Sequence, residues 1–419
     1  MTLDPVHFRA ITRLAGRVDP EVDEREHRDF ARTVWEEFLD PLYGGSRRII
    51  EPLEERRRRK VDIEDAALQA DRFPTQHGLD SGTINPTTFK NGLVVDVAQA
   101  AMSSVPSALD LHRARTMVTA VHSNDVTVAL PDDWQMEDEG YVQSRLLHVP
   151  MVDRSVTPVV HELALYLAEV EHATKQAGLV EDLLVMDGPI YPKGLLTWEN
   201  RDTELAELLA GERTPRRIIE RYVRLVERFL DSGVPVIGFV KTPVTGLITR
   251  TVREREGRAP WVNDAAFFSK VLERGAYEDD GWARDGDSLT FTNWFVSRGR
   301  ADHAIPEGRH DLTLDRPPED YEVTFCMVYD PRTDTVYRVE APRAVTRDAE
   351  RREAITMQVL KDVAVERGPP PAVAKADSLA SISRTETAAL RRALEGAFDS
   401  ELDTTYDDDR WGVGAGLEL

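Results

Sequence analysis

The chain is poor in cysteine, in lysine and in long apolar runs. Cys326 is its only cysteine among 419 residues. No intrachain disulfide can form, and a cage of thiolates around a metal is excluded. No apolar run approaches the roughly 18 residues that a bilayer span needs. The opening Met1-Thr2-Leu3-Asp4-Pro5-Val6-His7 carries no basic-then-apolar leader. Both absences predict a cytoplasmic protein with no membrane partner. Also missing are a phosphate-binding glycine loop followed by Lys-Ser/Thr, a nucleophile elbow, zinc-type histidine spacing and a dinucleotide fingerprint. The histidines are scattered, and His303 and His310 lie in a loop without ligand spacing.

What is abundant is acid. Asp and Glu total 75 against 53 bases, a net charge of -22. Only eight bases are lysine; the other 45 are arginine. By itself the acid excess argues against a nucleic-acid partner, which needs basic surface. Acid excess with scarce lysine also fits a halophilic protein, whose net charge preserves solubility while salt screens repulsion within a few ångströms. On that reading net charge says little about the ligand.

Residues 1–70 read as a charged helical extension, with Phe30, Val34, Phe38 and Leu39 at helical spacing. Arg56-Arg57-Arg58-Arg59-Lys60 is the most basic run. It reads as a solvated helix face balanced by Glu51, Glu54 and Glu55, or else as a DNA or partner contact. Residues 78–150 read as strands, among them 92–98, 116–121 and Val126–Leu130, in an antiparallel meander. A helix follows over 158–177, its stripe formed by Val159, Leu163, Leu167, Val170 and Thr174. Glu162 and Glu169 fall along one edge of that stripe and Glu171 on the opposite edge. Next come a buried strand ending at Asp187, a helix opened by Thr214-Pro215, and a strand 234–240 running into Lys241. This alternation predicts an α/β fold with a mixed sheet flanked by helices. A loop-rich insertion over about 276–320 holds one aromatic strand, 289–296. A hairpin (321–329 with 336–340), a helix over about 347–366, a short helix carrying Asp377, and a last helix opened by the capping box at Ser383 complete a main domain over 71–398. The acidic tail 399–419 has the composition of a disordered segment.

The chemistry left to consider is that of carboxylates. Asp80 and Asp187 stand at strand ends, where a metal ligand can sit, though a turn or cap role is open to either. Magnesium and manganese are hard cations that take oxygen ligands and substrate phosphates. A pair of such ions needs about four acids converging from different elements. Asp80, Asp187, a glutamate of helix 158–177 and Asp377 could supply them.

In order and spacing, the segments Leu79-Asp80-Ser81-Gly82, Leu184-Val185-Met186-Asp187-Gly188-Pro189, Gly238-Phe239-Val240-Lys241-Thr242-Pro243, Val336-Tyr337-Arg338-Val339-Glu340-Ala341-Pro342 and 369–383 resemble the NurA nuclease family over roughly 70–395. The acidic, lysine-poor makeup suggests a haloarchaeal member. The resemblance implies an RNase H-like fold and a manganese-dependent nuclease, with magnesium as a possible substitute in a two-metal site. It implies 5′-to-3′ degradation of single-stranded DNA together with endonucleolytic cutting. It also implies a homodimer docked on a hexameric HerA-type ATPase during the processing of DNA double-strand breaks. The family aspartates fall on Asp80 and Asp187. The family glutamate fits Glu169 best, with Glu162 and Glu171 as alternatives. Lys241 offers a phosphate contact or a structural ion pair. Two departures stand out. The first motif reads Asp80-Ser81-Gly82 where the family has Asp-Gly-Ser, and Asp377 stands where the family has histidine. The second departure motivates another reading, a catalytically weak adaptor on a ring ATPase that keeps the fold as a scaffold.

Overall fold

The computed structural model describes residues 4–17, 24–125, 130–131, 133–278, 281–308 and 312–404. Two helices open it, Pro5–Ala15 and Glu24–Glu37. The second buries Ala31, Val34 and Trp35. The first buries nothing. From Leu42 the chain becomes extended, and Arg47–Pro52 and Arg58–Asp62 are strands of the main sheet. The basic run therefore lies on and beside an edge strand, where a helix face was expected. Its burial alternates, exposed at Arg58, Lys60 and Asp62 and half-buried at Arg59 and Val61, as a strand of period two requires. The partner that fixes this conformation is distant in sequence: Arg58–Asp62 pairs antiparallel with Ser288–Thr292.

The centre of the sheet is a meander of Gln76–Thr83, Val94–Val105 and Arg115–His122, each antiparallel to the next. Leu183–Asp187 then pairs parallel to Gln76–Thr83, and Val236–Val240 parallel to Leu183–Asp187. Three antiparallel strands with two more parallel to the first form the RNase H-like arrangement expected. The sheet continues through Thr335–Pro342 and Val323–Asp330. On its other side Val142–His148 adds parallel to Arg115–His122. The expected strand at Val126–Leu130 lies almost wholly outside the described residues. The aromatic strand expected at 289–296 is two strands broken at Asn293-Trp294: Ser288–Thr292 pairs with Arg58–Asp62 and Phe295–Ser297 with Arg47–Pro52.

Helices cover both faces. Val156–Gln176 and Arg213–Ser232 pack on one, burying Val159, Leu163, Leu167, Ile218, Tyr222 and Phe229 with Leu79, Ala98 and Ala100 of the sheet. Ala349–Glu366 and Pro371–Ala380 cover the other. The capping box forms at Ser383 and Glu386 and opens the helix Arg384–Phe398. Beyond it, Lys90 pairs with Glu401 at 2.5 Å, and Phe89 bridges to Leu402. Of the acidic tail, 405–419 lies outside the described residues. Among those described, no helix is long and apolar enough to cross a membrane.

Candidate metal centre

Asp80, expected at a strand end, sits inside the strand Gln76–Thr83, which runs three residues further, while Asp187 does end the neighbouring parallel strand. Parallel pairing places Met186 opposite Leu79, so the two aspartates lie side by side on adjacent central strands. Asp377 comes from the far side, on the helix Pro371–Ala380. That helix lies directly on the strand because two glycines flank Asp80. A Cβ at Gly78 would stand 2.1 Å from the Ala372 carbonyl oxygen, and one at Gly82 would stand 2.6 Å from that of Ala380. Only glycine permits so close an approach. The Ser103 hydroxyl donates to the Ala372 carbonyl at 2.5 Å and fastens the helix to the sheet at the same place.

The outcome is a cluster of three acids from three elements. One carboxylate oxygen from each of Asp80, Asp187 and Asp377 lies within 4.8 Å of the others. Asp80 and Asp187 are half-buried and Asp377 is exposed. Such crowding is costly without a cation. Burial and then the Asp187 charge push Asp80 up to about 8, against the pull of its hydrogen bond from the Ser81 N–H. Burial raises Asp187 too, opposed by Lys241. The Lys241 Nζ stands 2.5 Å from Asp187 Oδ2 and is the cation that the cluster does have.

The three candidate glutamates separate cleanly. Glu169 lies outside the group of three but next to the strand that carries Asp80: Ser81 Oγ donates to its Oε2 at 3.0 Å and Tyr222 OH to its Oε1 at 2.9 Å. Burial pushes Glu169 up to about 7, held back by those two hydrogen bonds and raised further by Asp187. Glu162 accepts from Trp198 Nε1 at 2.6 Å and pairs with Arg201. Glu171 pairs with Arg221. Glu162 and Glu171 are thus engaged by other partners, while Glu169 shares a hydroxyl with the residue next to Asp80. His303 lies beside Glu307, remote in sequence and partners from the cluster, and His310 is outside the described residues.

Sequence reasoning missed Ser81 and Tyr222. Ser81 was visible only as a departure from the family order, and Tyr222 only as one member of a buried helical stripe. In this fold Ser81 alternates with Asp80 across the strand, so it meets the Glu169 helix while Asp80 meets the Asp377 helix.

The donor set suits a hard divalent cation. It offers carboxylate oxygen from three directions, no sulfur and no imidazole, and a negative charge that a single lysine does not balance.

A sequence model of the NurA domain matches residues 74–382. Among solved structures, the NurA nuclease from Sulfolobus solfataricus is 12% identical with TM-score 0.47, covering 95% of this chain and 98% of that one. A NurA structure bound to dAMP and manganese is 11% identical with TM-score 0.44, covering 94% and 98%. A further NurA structure with manganese is 10% identical with TM-score 0.38, covering 80% and 91%. A search of curated proteins gives no match. The sequence match spans most of the chain and includes all three clustered aspartates, so the chain belongs to the NurA domain family.

Proposed function

We propose that this protein is a manganese-dependent DNA nuclease whose metal ligands are Asp80, Asp187 and Asp377, with Glu169 completing the set. The observation that carries the reading is the convergence of three carboxylates from two strands and a helix within 4.8 Å. A turn or cap role for each aspartate separately would not bring them together. Two cations, manganese or in its place magnesium, fit the number of acids available. When bound, they supply Lewis acidity toward the phosphate and lower the pKa of water. The chain's residues do the rest. Ser81 and Tyr222 hold Glu169 toward the cluster in one orientation. Lys241 neutralises Asp187 and can turn its ammonium to a phosphate oxygen. Asp377 supplies oxygen where the family has an imidazole, which preserves a ligand and removes a neutral proton donor.

The finer reading follows the family. The substrate is single-stranded DNA, degraded from the 5′ end and also cut internally. The working form is a homodimer on a hexameric HerA-type ATPase, acting in the cytoplasm at double-strand breaks. Asp80→Ala and Asp187→Ala should each lower manganese-dependent cleavage of single-stranded DNA at least about a hundredfold with the fold intact. Cleavage at the wild-type rate in either variant would overturn the assignment. The adaptor reading predicts no manganese binding at any salt concentration, which calorimetry on the wild type decides.

A further inference from the structure

The basic run has a use that the carboxylate cluster does not account for. Arg57 pairs with Glu55, and Arg59 makes two hydrogen bonds of 2.7 Å to Glu353. Of the three acids expected to balance the run, only Glu55 does; Glu51 serves Arg48 and Arg298, and Glu54 serves Arg352. Arg58 and Lys60 project together from the other face of the edge strand. There they line a cleft of about 770 Å³ with Arg32, Arg274 and Arg284. The acids in that cleft are Glu36, Glu273 and Asp285, and Glu273 is already held by Arg28 and Arg284. Arg32, Lys60 and Arg274 are exposed, and Arg58, whose Nη1 donates to the Val271 carbonyl at 2.9 Å, has its guanidinium partly buried close to Arg32 and Arg274. Burial, and then Arg274, with Arg32 and Arg56 among its neighbours, lower the pKa of Arg58. On a chain of net charge -22, such a concentration of positive charge is a departure from the rest of the surface.

Two further features point to the chemistry of the ligand. Two buried donors in and beside the cleft, Trp282 Nε1 and Arg56 Nε, have no hydrogen-bond acceptor. At the rim, the hairpin of Gly275–Glu278 and Gly281–Arg284 presents Tyr277, which is 46% exposed and whose ring centroid is 5.0 Å from that of Trp282. The Arg25 guanidinium stands over one face of the Tyr277 ring, 5.1 Å from its centroid, and the exposed remainder of the ring is left to a ligand. Cations, spare donors and an exposed aromatic ring suit a strand of phosphodiesters with unpaired bases. An acidic polypeptide would use the cations and make no use of the exposed part of the ring.

We propose that this cleft is a second nucleic-acid site, which holds single-stranded DNA by its phosphates and stacks a base on Tyr277. It rests on the reading that the chain acts on DNA, and adds to it a holding site apart from the metal centre. Five strand-to-strand steps separate Arg58–Asp62 from Leu183–Asp187, roughly 24 Å at the usual strand spacing. A long strand can therefore be gripped at one edge of the sheet while it is cut at the sheet's centre, and a dinucleotide cannot.

The test is fluorescence anisotropy of a labelled single-stranded oligonucleotide on the full chain, in EDTA, over a series of salt concentrations. The triple variant Arg32→Gln/Lys60→Gln/Arg274→Gln should bind about tenfold more weakly. Its slope of log affinity against log salt should be shallower by about 2, near 0.7 for each phosphate that the variant no longer neutralises. Tyr277→Ala should cost about tenfold as well, and only for single strands. A control triple at exposed cations elsewhere, Arg217→Gln/Arg250→Gln/Arg392→Gln, should change neither quantity by as much. With manganese, the cleft triple should raise KM for a long strand and leave dinucleotide cleavage unchanged. Equal binding by wild type and cleft triple would overturn the proposal, as would displacement of the oligonucleotide by poly-glutamate as effective as that by unlabelled DNA. Wild-type protein that binds through the cleft but cleaves nothing would instead refute the nuclease reading and leave the cleft standing.

Discussion

At the scale of single residues, the candidate site depends on carboxylates held where they would rather be protonated. Asp80, pushed up to about 8, and Glu169, pushed up to about 7, compete with a metal for the same oxygens. Manganese affinity should therefore rise with pH and level off only above about pH 8, because each proton released frees a ligand. A binding series across that range checks it, and a flat series would contradict it. Tyr222→Phe removes one of the two hydrogen bonds that favour the charged form of Glu169. A bond to a charged group contributes about 1.5–3 kcal/mol, so the alkaline shift in the pH–rate profile should be about one unit or more. Ser81→Ala should shift it in the same direction. Of these residues, Asp187 was legible in the sequence because a buried apolar run ending in an acid and a glycine marks a strand end; Asp80, read as a strand end too, lies inside its strand, and only the glycines around it set it apart. Glu169 was not separable from Glu162 and Glu171 by helical spacing. What distinguishes the three is who else reaches them: Trp198 and Arg201, Arg221, or Ser81 and Tyr222. Those partners come from other elements, and spacing within one helix carries no record of them.

At the scale of elements, the decisive packing is that between the Asp80 strand and the Asp377 helix. Gly78 and Gly82 let the helix backbone lie against the strand, and the helix in turn brings Asp377 over the cluster. Gly78→Ala would drive a methyl group into the Ala372 carbonyl. The helix must then shift, which should destabilise the fold by about 1–3 kcal/mol and weaken manganese binding beyond what reduced stability explains. Thermal unfolding and metal titration of the same variant read both effects. The helices Val156–Gln176, Arg213–Ser232 and Ala349–Glu366 were legible because their apolar stripes recur at helical spacing over five turns or more. The start expected at Thr214-Pro215 differs by little: the helix begins at Arg213, with Glu212 at the N-cap position and no side-chain capping bond. The stretch from Leu42 to Asp62 was misread as helix for a physical reason. Its charge density resembles that of the preceding helix, and apart from the short pairing of Leu42–Gly44 with Arg47–Pro52, the hydrogen-bonding partners that extend it are Ser288–Ser297, more than 200 residues away. Edge pairing over such a separation leaves little local periodicity to detect.

At the scale of the whole molecule, the sheet joins two regions of opposite character, the carboxylate cluster and the arginine-rich cleft, within a chain of net charge -22. Net charge alone argued against a nucleic-acid partner; the distribution of charge argues for one. Stability should carry the signature of the cluster. The folded-state pKa of Asp80, about 8, lies above its ordinary 3.8. Its contribution to stability is therefore full below about pH 4, declines as pH rises, and is gone once pH passes about 8. Metal-free protein should lose melting temperature over that range, and Asp80→Asn should lose less of it. Manganese, which binds the deprotonated form, should raise the melting temperature more at about pH 8.5 than at about pH 6. The most direct measurement is an electron paramagnetic resonance titration of manganese at about pH 8 against the wild type, Asp80→Ala, Asp187→Ala and Asp377→Ala, all shown to be folded. The account predicts that the wild type removes free manganese from solution and that each variant does so at least about tenfold more weakly, since each lacks one oxygen ligand of a shared site. Binding unchanged in Asp80→Ala and Asp187→Ala would mean that these acids meet in space without holding a metal, and would contradict it.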